Sequence, residues 1–180
     1  WIIMGMVNVA VLMIAAFAYR SFVAALILLI PVNLSNLMLV ASIQLLGIGL
    51  DINAGIVAVI GVGVGIDYGI YLLSRICEEY SAHDHDLPEA ITAALTTTGK
   101  AIMFTATIML IGITPWYFLS DLKFMADMGL LLVAVMFINM VLSLVVLPML
   151  VWFINPSFLA REDLIVGHSV DISELTHRVQ

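Results

Sequence analysis

Long apolar runs separated by short polar breaks organise the chain. The first run covers residues 2–18 and is closed by Tyr19-Arg20-Ser21, after which a second begins at Phe22 and continues to about residue 46. So short a connection predicts a tight helical hairpin. The group Gly49-Leu50-Asp51-Ile52-Asn53 ends the second run and leads into a third over 54–74. The only long polar stretch inside the apolar sequence follows, with Glu78-Glu79, His83-Asp84-His85-Asp86 and Leu87-Pro88-Glu89. Asp86 with Glu89 three residues later has the form of a capping box, which predicts a short helix over about 87–98 lying at the membrane interface. A fourth run covers 101–119, Ser120-Asp121-Leu122-Lys123 interrupts it, and a fifth covers 124–154. A spanning helix needs about 20 mostly apolar residues. The expected fold is therefore all-α, a polytopic membrane helix bundle over 1–156 with five transmembrane helices plus the short interfacial helix. From Asn155-Pro156 the chain turns polar, and 157–180 reads as a loosely attached polar tail.

Composition strengthens this picture. With 63% hydrophobic and 11% charged residues and a mean hydropathy of +1.18, there is too little polar surface to cover a water-soluble globule. The net charge of −7 is concentrated between Glu78 and Glu89 and between Glu162 and Glu174, which argues against nucleic-acid binding. Cys77 is the single cysteine; it permits no internal disulfide and is assigned no role. Trp1 starts inside apolar sequence, with no basic n-region and no small-residue cleavage site, so the opening segment reads as a span of a longer protein rather than a signal peptide. Alternation of five spans puts Arg20, Arg75, Lys100 and Arg161 on one side and Lys123 on the other. Excess Lys and Arg marks the cytoplasm, so the Arg20 hairpin, the long loop and the C-terminus are expected there.

The chemistry centres on the third run, Gly61-Val62-Gly63-Val64-Gly65-Ile66-Asp67-Tyr68-Gly69-Ile70-Tyr71. Asp67 lies about three residues from the middle of that span, too deep for its short side chain to reach the interface. A carboxylate in hydrocarbon costs several kcal/mol on any scale, so the group is protonated, paired or turned toward a wet cavity, and each option makes it titratable. A carboxyl fixed permanently to polar neighbours is the structural alternative. Glycines 61, 65 and 69 recur every four residues and form a smooth strip for close helix packing, and Gly63 is assigned the same packing role. Gly63, Asp67 and Tyr71 align at helical spacing, while Tyr68 sits about 100° around and is placed to present its hydroxyl to the same cavity as Asp67. Thr105 and Thr107 of the fourth span lie at comparable depth and are candidate supports, as is Tyr71; a membrane threonine that bonds its own helix is the bland reading. Asn33, Asn36, Asn139 and Ser143 are expected to serve helix packing. His83 and His85 with Asp84 and Asp86 lack the fixed geometry of a metal site and read as a solvated loop, so no metal is expected. No basic residue lies deep in any span.

Residues 63–75, Gly-Val-Gly-Ile-Asp-Tyr-Gly-Ile-Tyr-Leu-Leu-Ser-Arg, resemble a signature of the resistance-nodulation-division superfamily, closest to the branch of the mycobacterial large membrane proteins, the hopanoid exporters and the hydrophobe/amphiphile efflux-3 group. Thr97-Thr98-Gly99-Lys100-Ala101 and the 124–148 segment are similar to the closing helices of those proteins. The resemblance implies the last five of twelve helices of a bacterial inner-membrane exporter that moves lipids or other hydrophobic molecules against an inward flow of protons. Asp67 and Tyr68 match the family's proton-relay positions, protons are the coupling ion, and no other cofactor or enzymatic activity is implied. The first helical half and both extracytoplasmic porter domains would then be missing partners, and a homo-oligomer stays open. A non-transporting, sterol-sensing-like lipid-binding or assembly module is the alternative. Intramembrane hydrolysis would need a second deep acid or a metal cluster, and the sequence has neither.

Overall fold

The computed structural model describes residues 2–45, 52–83, 85–156 and 159, and these are all helix or short connection. The element order is α1 (Ile2–Ala18), α2 (Phe22–Leu45), α3 (Ile52–Ala82), α4 (Leu87–Ala94), a π-turn (Leu95–Gly99), α5 (Lys100–Leu119) and α6 (Lys123–Ile154). Among the described residues, four helical runs are long and apolar enough to cross a membrane, and the 17-residue α1 is a shorter apolar helix beside them. Asp51, Asp84 and the expected tail at 157–180, apart from the buried Leu159, lie outside the described residues.

Each helix boundary has a local cause. Arg20 takes a left-handed backbone with φ of 46°, which reverses the chain between α1 and α2 within three residues. Tyr19, just before it, is buried, donates to the Ile70 carbonyl at 3.1 Å and shares a 2.7 Å hydrogen bond with the Ser74 hydroxyl, tying the hairpin to α3. Asn33 donates to Asn8 at 3.1 Å, a second polar link, here between α1 and α2. Asn155, again left-handed with φ of 40°, ends α6, a conformation that asparagine tolerates better than most residues.

Two features differ from the sequence expectation. The apolar stretch 54–74 is only part of α3, which runs on to Ala82 because Arg75 pairs with Glu78 and Glu79, and Glu79 with His83, at helical i+3 and i+4 spacings. The short helix expected over about 87–98 does not stand apart at the interface: α4 continues through the π-turn into α5 as one unbroken helical run, Leu87–Leu119. Nor does the capping box form. Asp86 has the extended backbone of an N-cap, but its side chain makes no capping hydrogen bond. Pro88 in the first turn has no N–H to offer it.

Helix α6 is the central pillar, packed against α2, α3 and α5, while α1 lies on α2 and α4 on α3. One buried cluster, including Leu28, Val62, Ile66, Leu72 and Leu147, fills the half nearer Arg20. A second, including Leu39, Ile43, Val57, Leu131 and Val135, fills the other half. Lipid tails are as apolar as these side chains, so close packing and interhelical hydrogen bonds, more than water exclusion, hold such helices together. Three glycines make that closeness visible. A Cβ at Gly61 would sit 2.5 Å from Val135 Cγ2, one at Gly65 would sit 2.5 Å from Asn139 Oδ1, and one at Gly69 would sit 2.9 Å from Leu28 Cδ2. Asn139, buried, uses the space at Gly65 to donate a 2.7 Å hydrogen bond to the Gly61 carbonyl. Asn36 and Ser35 of α2 are also buried, and their side-chain polar atoms find no partner among the described residues.

Candidate functional site

Asp67 is the middle residue of α3, about 22 Å along the axis from either end at 1.5 Å per residue. Its side chain is exposed on a face of the bundle that no other described helix covers, and among the described residues it makes no hydrogen bond or ion pair. Gly63, one turn away on the same face, has nothing within 4 Å of the place a Cβ would occupy. The packing role expected for Gly63 therefore does not hold against the described helices. The physical reason is angular: two residues from Gly61 and from Gly65, it points about 200° away from their strip.

Tyr68 turns the other way. It is only 5% exposed and its hydroxyl reaches across to α5, where the Met109 sulfur lies 3.9 Å off, a weak acceptor. The adjacent pair thus serves two directions, rather than one shared cavity as expected. A groove between α3 and the α4–α5 run, a space of about 490 Å³, is lined by Tyr68, Tyr71, Arg75, Glu78, Thr98 and Thr105 among others. Its α3 wall carries residues 71, 74, 75 and 78, which continue the helical stripe of Asp67 at i+4, i+7, i+8 and i+11. Asp67 does not itself line the groove; it stands next to Tyr68 and one turn from Tyr71 along that stripe. Glu78 stands about 16 Å along the axis from Asp67.

Of the two threonine candidates, only Thr105 borders the groove, and its hydroxyl is uncommitted within the described residues. Thr107 donates to the carbonyl of Met103 in its own helix at 2.7 Å and does not line the groove. Tyr71 is exposed and forms part of the groove wall. The mouth holds a charged set that the sequence reading left without a part: Arg75 contacts Glu78 at 2.7 Å and Glu79 at 2.6 Å, and Glu79 contacts His83 at 3.2 Å. The spacing from Asp67 was the signal that would have found Arg75 and Glu78. Thr98 enters the lining because the π-turn supplies it, a wide turn whose freed carbonyls at Ala93 and Ala94 are taken up by the hydroxyls of Thr96 and Thr97. Of the loop histidines, His83 sits on Glu79 and His85 packs edge-on against Tyr80, ring centres 5.0 Å apart, while Asp84 lies outside the described residues.

The sequence matches the family model described as the MMPL family over residues 1–165. A membrane protein of Methanocaldococcus jannaschii is 32% identical over 148 residues, covering 82% of this chain and 37% of that protein. The trehalose monomycolate exporter MmpL3 of Mycolicibacterium smegmatis is 29% identical over 101 residues, covering 56% of this chain and 10% of the exporter. A membrane protein of Streptomyces coelicolor is 38% identical over 76 residues. The chain thus spans little more than a third of the archaeal relative and a tenth of the mycobacterial one. No solved structure matches.

Proposed function

Given that the chain belongs to the MMPL family and is a multi-pass membrane protein, we propose that it forms the C-terminal membrane half of an exporter that moves lipids or other hydrophobic molecules at the expense of a proton gradient. One observation carries the reading: an acidic side chain at the midpoint of a membrane helix, without a partner among the described residues, at the head of a helical stripe whose further residues Tyr71, Arg75 and Glu78 line a groove between α3 and the α4–α5 run. Asp67 is the group that takes up and gives back the proton. Tyr68 and Thr105 offer hydroxyls along the groove, and Arg75 and Glu78 form its mouth, facing the cytoplasm of a bacterial inner membrane. The open face bearing Gly63, Asp67 and Tyr71 receives the other helical half. When the carboxyl gains or loses its charge, the cost of holding it in a dry environment changes by several kcal/mol, enough to favour a different packing of α3. The likeness to a trehalose monomycolate exporter supports an amphiphilic lipid as the transported class.

The test uses the intact protein in sealed vesicles with a pH dye inside and an imposed proton gradient. Asp67→Asn is expected to abolish substrate-dependent proton entry while leaving expression and melting temperature unchanged. Proton entry at the parent rate in that variant would refute the relay.

A further inference from the structure

The turn between α1 and α2 carries a cation for which the described residues provide no answering charge. Arg20 is exposed and makes no ion pair and no side-chain hydrogen bond among the described residues, in contrast to Arg75, which holds two glutamates. It lies in an open hollow of about 430 Å³ whose walls are Ala16, Phe17, Arg20, Ser21 and Phe22. The flanking aromatics are turned outward, Phe17 80% and Phe22 62% exposed. Charge and hydrophobicity are therefore layered here: a guanidinium and the Ser21 hydroxyl where the helices end, and two phenyl rings where the apolar spans begin.

We propose that this hollow binds the headgroup of an anionic phospholipid, with the phosphate on Arg20 and Ser21 and the acyl chains along Phe17 and Phe22. The guanidinium offers several donors in a planar fork that suits phosphate oxygens. The exposed rings complement acyl chains, whereas a soluble anion has no use for them. The backbone adds a second argument. Arg20 occupies the left-handed position that usually ends a helix with glycine, so an arginine stands there against the local conformational preference. The site shares no lining residue with the relay's groove, so a substitution at Arg20 leaves that groove's lining unchanged and the two readings are tested separately.

The intact protein, purified with retained lipid, is examined by native mass spectrometry with added phosphatidylglycerol, phosphatidylcholine or inorganic phosphate, alongside its melting temperature. Phosphatidylglycerol should be retained over phosphatidylcholine, with Arg20→Lys close to the parent and both Arg20→Gln and Arg20→Gly reduced about five-fold, the scale of one basic residue at a membrane surface. Arg20→Gly should melt no lower than the parent, because glycine suits the left-handed turn. Unchanged phosphatidylglycerol retention in Arg20→Gln and Arg20→Gly would overturn the site. Displacement of the lipid by inorganic phosphate would overturn its assignment to a lipid. Loss of retention in Arg20→Gly only together with a collapsed melting temperature would show that the residue serves the turn instead.

Discussion

The Asn139 amide donates to the Gly61 carbonyl at 2.7 Å, and it can do so because Gly65 leaves the intervening space empty. Three residues on two helices make one joint. A methyl at Gly65 would meet the amide oxygen at 2.5 Å, so Gly65→Ala should force the side chain off the carbonyl and destabilise the bundle by about 1–3 kcal/mol. Gly63→Ala, with nothing within 4 Å, should leave melting of the bundle in detergent within about 0.5 kcal/mol of the parent. Equal losses from the two substitutions would contradict the joint.

Tyr19 should behave as a fastener between the hairpin and α3. Tyr19→Phe removes the hydroxyl from both Ile70 and Ser74 and should cost about 1 kcal/mol, the usual range for hydrogen bonds between membrane helices. Ser74→Ala combined with Tyr19→Phe should cost less than the sum of the two. Strict additivity in a double-mutant cycle would mean that the 2.7 Å contact carries no energy.

The groove distinguishes residues that hydropathy alone cannot. Tyr68→Phe and Thr105→Val, which remove hydroxyls from its wall, should slow proton entry in intact protein, by roughly ten-fold or more for the tyrosine. Thr107→Val should have no such effect, since that hydroxyl is spent on the Met103 carbonyl. A slow Thr107→Val beside a normal Thr105→Val would reverse the assignment.

At the groove mouth the two glutamates are unequal. Glu79 is 8% exposed and touches both Arg75 and His83, so Glu79→Gln should lower stability by about 1–3 kcal/mol through loss of charge-assisted hydrogen bonds. Glu78 pairs with Arg75 in an open position, and Glu78→Gln should cost at most about 1 kcal/mol. Thermal melting of both variants at low and high salt gives the comparison, and a larger loss for Glu78 would contradict it.

Much of the architecture was legible because the apolar runs are long and their breaks abrupt; Tyr19-Arg20-Ser21 and Asn155-Pro156 end helices where the polar residues stand. Hydropathy misjudged the end of α3 because it counts Arg75, Glu78 and Glu79 as loop, whereas their pairing three and four residues apart keeps them helical. It also separated α4 from α5, since nothing in the Thr96-Thr97-Thr98 run tells a wide helical turn from a break. Asp67 and Tyr68 stood out through depth and chemistry. That neighbours on a helix point about 100° apart was available from spacing, but which of them meets α5 depends on how α6 positions that helix, and periodicity within one segment carries no such information.

The wide turn at Leu95–Gly99 also acts as an indexing pin for the rod that continues from it. An α-helix advances about 100° per residue, so deleting one threonine there would rotate everything downstream by that angle while barely altering hydropathy or length. Thr105 and Met109 would then swing away from Tyr68 toward a different neighbour. The azimuth of α5, and with it the identity of the atoms opposite Tyr68, is therefore set by a count of residues several turns earlier.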